Sequence, residues 1–219
     1  MSLITFTPQT ADAQQSNQGA RIGANLANES YDSLPSGASI GMHTGFLAGG
    51  QFDYWFDDMW ALSAQVLYDQ KGAHEDFNES VSGFAATGTD DVTFNYLEIP
   101  ILLKVSFGTG DFRPYVFAGP SFGIFLSGSG KVHSSSTFGG QTVTSDTTIS
   151  VPDSEVKSPD IAAVFGAGVS LKLSSGSMLF FDAAYALGLT NIAKPPPGDN
   201  TVVKSRDIRL AVGILFPLD

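Results

Sequence analysis

The chain has 219 residues, 22 acidic and 11 basic, and a formal net charge of −11, so it lacks the basic stripe that nucleic-acid binding needs. It has no cysteine, which excludes a disulfide framework and a thiolate metal site. Charged residues make up only 15%, while 24 glycines and 17 phenylalanines favour short strands and turns over helices. No apolar run approaches the roughly 18 residues of a membrane helix, so a spanning structure has to be a closed barrel.

The N-terminus "MSLITFTPQTADAQQ" carries an apolar start and Ala11-Asp12-Ala13, an A-x-A-type cleavage pattern. Residues 1–13 read either as the remnant of a secretory signal or as a disordered terminus. From about residue 19 the chain falls into strands. The predicted elements are about 20–27, 40–56, 60–75, 92–107, 113–127, 159–173, 178–193 and 203–217.

Five of them sort by parity into two faces. On 60–71, Leu62, Ala64, Val66 and Tyr68 oppose Ser63, Gln65, Asp69 and Lys71. On 95–107, Leu97, Ile99, Ile101, Leu103, Val105 and Phe107 oppose Tyr96, Glu98, Pro100, Leu102, Lys104 and Ser106. On 160–173, Ile161, Phe165, Val169 and Leu171 oppose Asp160, Gly166, Gly168, Ser170 and Lys172. On 179–189, Leu179, Phe181, Tyr185 and Leu187 oppose Phe180, Asp182, Ala184 and Gly188. The last strand sets Ile208, Leu210, Val212, Ile214 and Phe216 against Arg209, Ala211 and Gly213.

The charges share a face with small residues, and the bulky face is uncharged. A soluble barrel would place its charges outside. Here the small, polar face fits a narrow lumen and the bulky face fits lipid. Connections alternate between short (57–59, 108–112, 174–177) and long (28–39, 76–91, 128–158, 194–202), as in outer-membrane barrels. The Ser-, Thr- and Gly-rich part of 128–158 reads either as a mobile loop or as a strand extension into the medium, where Val143, Thr144 and 147–151 could continue a hairpin. Tyr31, Tyr54, Trp55, Trp60, Tyr68, Tyr96, Tyr115 and Phe216 fall near strand ends, where aromatic girdles are expected.

The stretches "LYDQKGA" (67–73), "NYLEIPILLKVSF" (95–107), "RPYVFAGPSFG" (113–123), "FGAGVSL" (165–171) and "YALGLTNI" (185–192) resemble the PorT-like outer-membrane β-barrel domain family over nearly the whole chain from residue 19. The resemblance implies an eight-stranded outer-membrane barrel of a Gram-negative bacterium and little about activity. The chain departs from the usual pattern where Pro217-Leu218-Asp219 follows Phe216.

Parity predicts a lumen set of Arg21, Gln65, Asp69, Lys71, Glu98, Lys104, Arg113, Asp160, Lys172, Asp182 and Arg209. Eight strands leave an interior that side chains fill, so this set reads as an internal plug of ion pairs and not as an ion path. Glu98 and Lys104 are six residues apart, about 20 Å, and need partners on neighbouring strands. Lys71 is the expected partner of Glu98; Tyr115 is nearest to Lys104.

Pairing through the turn at Asp57-Asp58-Met59 brings His43 opposite His74 at the outer rim, next to Glu75 and Asp76. A rim hydrolase would need a positioned nucleophile beside them, and no serine has motif support. A zinc site would need further ligands. Neither a metal nor another cofactor is expected. The loops carry Glu29, Asp32, Glu75, Asp76, Glu79, Asp90, Asp91, Asp146, Asp153 and Glu155 against Lys131 and Lys157. They form an acidic crown with which lipopolysaccharide, through divalent cations, or a protein partner could engage.

The expectation is an all-β, eight-stranded, antiparallel up-and-down transmembrane β-barrel over 19–219, in a bacterial outer membrane. Its task is structural or interactive, through its acidic extracellular loops. The alternatives are a narrow, porin-like channel or transport or secretion component, and a rim enzyme acting on lipid or peptide.

Overall fold

A computed structural model describes residues 15–31, 38–81, 84–108, 110–194 and 201–218. The expected signal remnant lies outside them, as do Asp32 and the side chains of Tyr31 and Glu79. Nine strands form one antiparallel sheet: β1 Ser16–Tyr31, β2 Ala38–Trp55, β3 Trp60–Val81, β4 Phe84–Ser106, β5 Phe112–Phe138, β6 Gln141–Val151, β7 Asp160–Lys172, β8 Met178–Gly188 and β9 Val203–Leu218. The spatial order is β4-β3-β2-β1-β9-β8-β7-β5-β6, and β4 also pairs with β5. That pairing closes a ring of eight strands. β6 is the ninth strand, outside the eight that were expected.

Turn chemistry makes the short connections. Between β2 and β3 the Asp57 carboxylate accepts from the Met59 and Trp60 amides at 2.8 and 2.7 Å. Between β7 and β8 the Leu173 amide bonds the Ser177 carbonyl at 2.8 Å across Gly176, whose φ of 84° suits glycine. Strand ends at Ser16 and Leu218 are paired on this same side, the periplasmic side of such barrels.

The outer surface is an apolar belt: Leu62, Val66, Leu103, Val116, Phe165, Phe181 and Val212 are all exposed on it. Its upper edge is polar. Tyr68 Oη and Gln70 Nε2 donate to Asn95 Oδ1 at 2.8 and 3.1 Å, and Asn95 Nδ2 donates to Ser127 Oγ at 2.9 Å. Three aromatics expected in girdles point inward instead: Tyr96, Tyr115 and Trp55 are buried. Their parity is that of Glu98 and Lys104, and each offers a ring face to a lumen cation.

The long connections 76–91 and 128–158 are chiefly strand. β3 and β4 stay paired up to Val81 and Phe84, β4 and β5 up to Phe84 and Phe138, and β6 adds beside β5 from Gly128 to Phe138. β3, β4, β5 and β6 therefore rise above the belt as one continuous wing. The 11 residues of β6 correspond to about 36 Å of strand. On the opposite wall β7, β8 and β9 stop lower, at Asp160, Gly188 and Val203.

Candidate functional site: the lumen and the extracellular rim

The inward face of each strand alternates large and small residues, so that side chains from opposite walls interdigitate. A Cβ added at Gly168 would lie 2.6 Å from Tyr115 Cζ, and one at Gly213 would lie 2.4 Å from Phe180 Cζ. Glycine at these two places admits the rings into the lumen. Leu102, Tyr115, Phe117, Val164, Phe180 and Leu215 pack together there.

Charges fill the rest in two layers. Towards the periplasm, Arg21 donates to Asp182 Oδ1 at 2.7 Å and to Gln51 Oε1 at 3.0 Å. Gln51 passes a hydrogen bond of 2.9 Å to Asp53, whose other oxygen accepts from Lys104 Nζ at 3.1 Å. Tyr115 Oη closes the layer on Asp182 Oδ2 at 3.0 Å, and its ring centroid lies 4.0 Å from Lys104 Nζ.

Above lies the larger layer. Lys71 Nζ is paired with Glu98 and sits 2.8 Å from Asp160 and 3.6 Å from Asp207. Arg209 Nη2 lies 2.8 Å from Asp69, 3.0 Å from Glu98 and 3.2 Å from Asp207. Ser121 donates to Glu98 at 2.7 Å, Ser205 to Asp160 at 2.9 Å and Asn25 to Asp69 at 2.8 Å. The ring of Tyr96, 0% exposed, covers this layer, its centroid 4.9 Å from Lys71 Nζ. Ion pairs this deep persist only where hydrogen bonds complete each partner, and the serines and Asn25 supply several of them.

Of the predicted lumen set, Arg21, Gln65, Asp69, Lys71, Glu98, Lys104, Asp160, Asp182 and Arg209 are buried inside. Two members are placed elsewhere. Lys172 is exposed at the end of β7, and Arg113 lies at the periplasmic mouth, where its Nε donates to the Gly110 carbonyl at 3.3 Å. Both have the inward parity, but at a strand end parity no longer decides between lumen and solvent. Asp53 and Asp207 belong to the network and were missed; Asp207 stands two residues from the named Arg209, so the same parity reaches it, whereas no face had been assigned on the strand that carries Asp53.

At the rim the register sets Gly41, and not His43, opposite His74; even without the shift between Met42 and Leu47, the pairs below it (Leu47 with Asp69) would place Met42 there. His43 Nε2 lies 3.3 Å from Thr93 Oγ1. His74 Nδ1 lies 2.6 Å from Asp91 Oδ1 and its Nε2 3.5 Å from Asp76, so Asp76 stands beside it as expected and Asp91 is a further acid there. Glu75 faces Asp90 across the strands. The Asp91 hydrogen bond raises the His74 imidazole above its ordinary value, whereas burial lowers that of His43. Among the described residues no group of three or more His or acidic side chains could hold a metal ion.

A closed ring with a lipid-facing apolar belt and an ion-paired interior defines an outer-membrane β-barrel. Residues 12–194 match the family described as outer membrane protein beta-barrel domain, and the chain belongs to that family. It is located in the outer membrane. No curated protein matches it. Among solved structures it is similar to the outer membrane protein OprG from Pseudomonas aeruginosa, at 12% identity and a TM-score of 0.53, over 94% of this chain and 96% of that one. It is also similar to Neisserial surface protein A, at 16% identity and a TM-score of 0.45, over 90% and 95% of the two chains.

Proposed function

We propose that this barrel is a closed membrane anchor that presents the β3–β6 wing outside the cell, and that its task is contact and not conduction. The observation that carries the reading is the continuous charge layer of Lys71, Glu98, Asp160, Asp207, Arg209 and Asp69, buried under Tyr96. A channel or transport component would need a water path through that layer. Of the acids that the sequence assigned to loops, Glu75, Asp76, Asp90, Asp91 and Asp146 stand on β3, β4 and β6, which favours lipopolysaccharide bridged by divalent cations, or a protein, as the contact.

The rim histidines act structurally in this reading. His74 is held by Asp91, and the hydroxyl nearest to His43 is Thr93, with no acid hydrogen-bonded to the His43 ring among the described contacts. The PorT-like subgroup remains the finer placement that the YLEIP and PYVFAGP stretches favour.

Conductance across planar bilayers tests the reading. The folded protein should add no steps to the lipid baseline; reproducible unitary steps would replace the anchor with a channel.

A further inference from the structure

β6 is an edge strand without the usual protection. Among the described residues it pairs only with β5. Its residues Gln141–Ser150 are all exposed, and Val143 and Ile149 are 69% and 46% exposed. Natural edges are blunted by lysine, proline, a bulge or a covering segment. The stretch "QTVTSDTTISV" has no lysine, no proline and one acid, and it runs beside β5 without a register shift.

The same stretch is self-complementary. Laid antiparallel on a copy of itself about Asp146, it sets Val143 against Ile149, Thr144 against Thr148, Ser145 against Thr147 and Thr142 against Ser150. These are apolar–apolar and hydroxyl–hydroxyl cross-strand pairs, the kinds that stabilise sheets. The overlap takes in every residue of the strand. Asp146 meets its own copy at the centre, an unfavourable pair. Each Asp146, however, is already held by His133 Nδ1 of its own chain at 2.5 Å.

Symmetry then decides where the copy stands. Barrel strands tilt by about 35–45° from the membrane normal, and the wing continues them. A two-fold axis along the normal leaves both β6 strands pointing away from the same membrane, so they cannot run antiparallel. An axis lying parallel to the membrane plane does make them antiparallel, and it inverts the second barrel. We infer that β6 is a homotypic contact strand that pairs with β6 of a second copy in a facing outer membrane. The inference rests on reading the wing as the contact surface.

The natural chain has no cysteine, so single substitutions report cleanly. Full-length Asp146→Cys protein is reconstituted into two batches of vesicles bearing different affinity tags, mixed and oxidised. Disulfides should join the two tags. Thr144→Cys vesicles mixed with Thr148→Cys vesicles should cross-link more than either does alone, and Val143→Lys added to Asp146→Cys should abolish the product. Because β6 takes no part in closing the ring, these variants should keep the compact unheated gel band. Vesicles with the natural chain give an independent reading: they should cluster by light scattering, and Asp146→Asn should tighten clustering about two- to fivefold. Cross-links at position 146 no stronger than at an exposed control, Ser154→Cys, or confined to one batch, would overturn the pairing. Unclustered natural-chain vesicles would do the same. A silent bilayer trace alongside a failed cross-link would leave the closed anchor standing without this partner.

Discussion

At the scale of the residue, the interior is a set of mutually dependent charges. Glu98 receives Lys71, Arg209 and Ser121 at once, and Lys71 in turn faces Glu98, Asp160 and Asp207. Removing one member strands its partner in a low-dielectric space at a cost of about 3–5 kcal/mol, while removing both costs less. Glu98→Gln and Lys71→Met should each destabilise strongly, and the double variant should fall well short of their sum. Unfolding in liposomes, analysed as a double-mutant cycle, reads this coupling; additive effects would dissolve the pair. The network around each residue makes the coupling only part of each single loss.

At the scale of the element, each strand serves two solvents through alternate residues. Ile101, midway between the polar edge at Asn95 and the end of β4 at Ser106, and Phe165, in the middle of β7, face outward, and Arg at either place would meet hydrocarbon. The expected loss is about 2–4 kcal/mol near the midplane. Arg at Ser154, in an exposed turn, should be neutral. Equilibrium unfolding of the three variants compares them, and equal tolerance at all three would contradict the assigned faces. The same two-sidedness explains why Trp55, Tyr96 and Tyr115 left the girdle. An aromatic near a strand end joins the lipid interface only when its parity is outward, as for Trp60, Tyr68 and Phe216.

At the scale of the whole molecule, ring and wing are separable in their hydrogen bonds. The ring closes through β4–β5 pairs from Glu98 to Ser106, whereas β6 bonds only the upper half of β5. Replacing residues 129–150 by a short turn should therefore leave a folded barrel. Comparing gel migration with and without heating checks this. Loss of the fast unheated band would show that the wing is needed for closure.

Periodicity along the chain yielded the outer-membrane barrel, the eight strands that close the ring and, on five of them, which residues face lipid. It could do so because the period of two is local and lipid tolerates no charge on the outer face. It also pointed to Lys71 beside Glu98, since both share the inward face of neighbouring strands, although the register sets Lys71 opposite Phe94, four residues along the strand from Glu98. What depends on register and strand length emerged from the folded chain. The β2–β3 pairing set Gly41 and not His43 opposite His74, and Asp91 from β4 joined the expected Asp76 at the His74 ring. The hairpin open to Val143, Thr144 and 147–151 in the sequence is β6, whereas the extension of β3 and β4 beyond the membrane was not legible, because it rests on cross-strand hydrogen bonding that leaves no mark in local hydropathy. Arg113 and Lys172 were lost to the lumen for a related reason: parity gives a side chain's direction, but only the fold says whether the lumen still extends to that height.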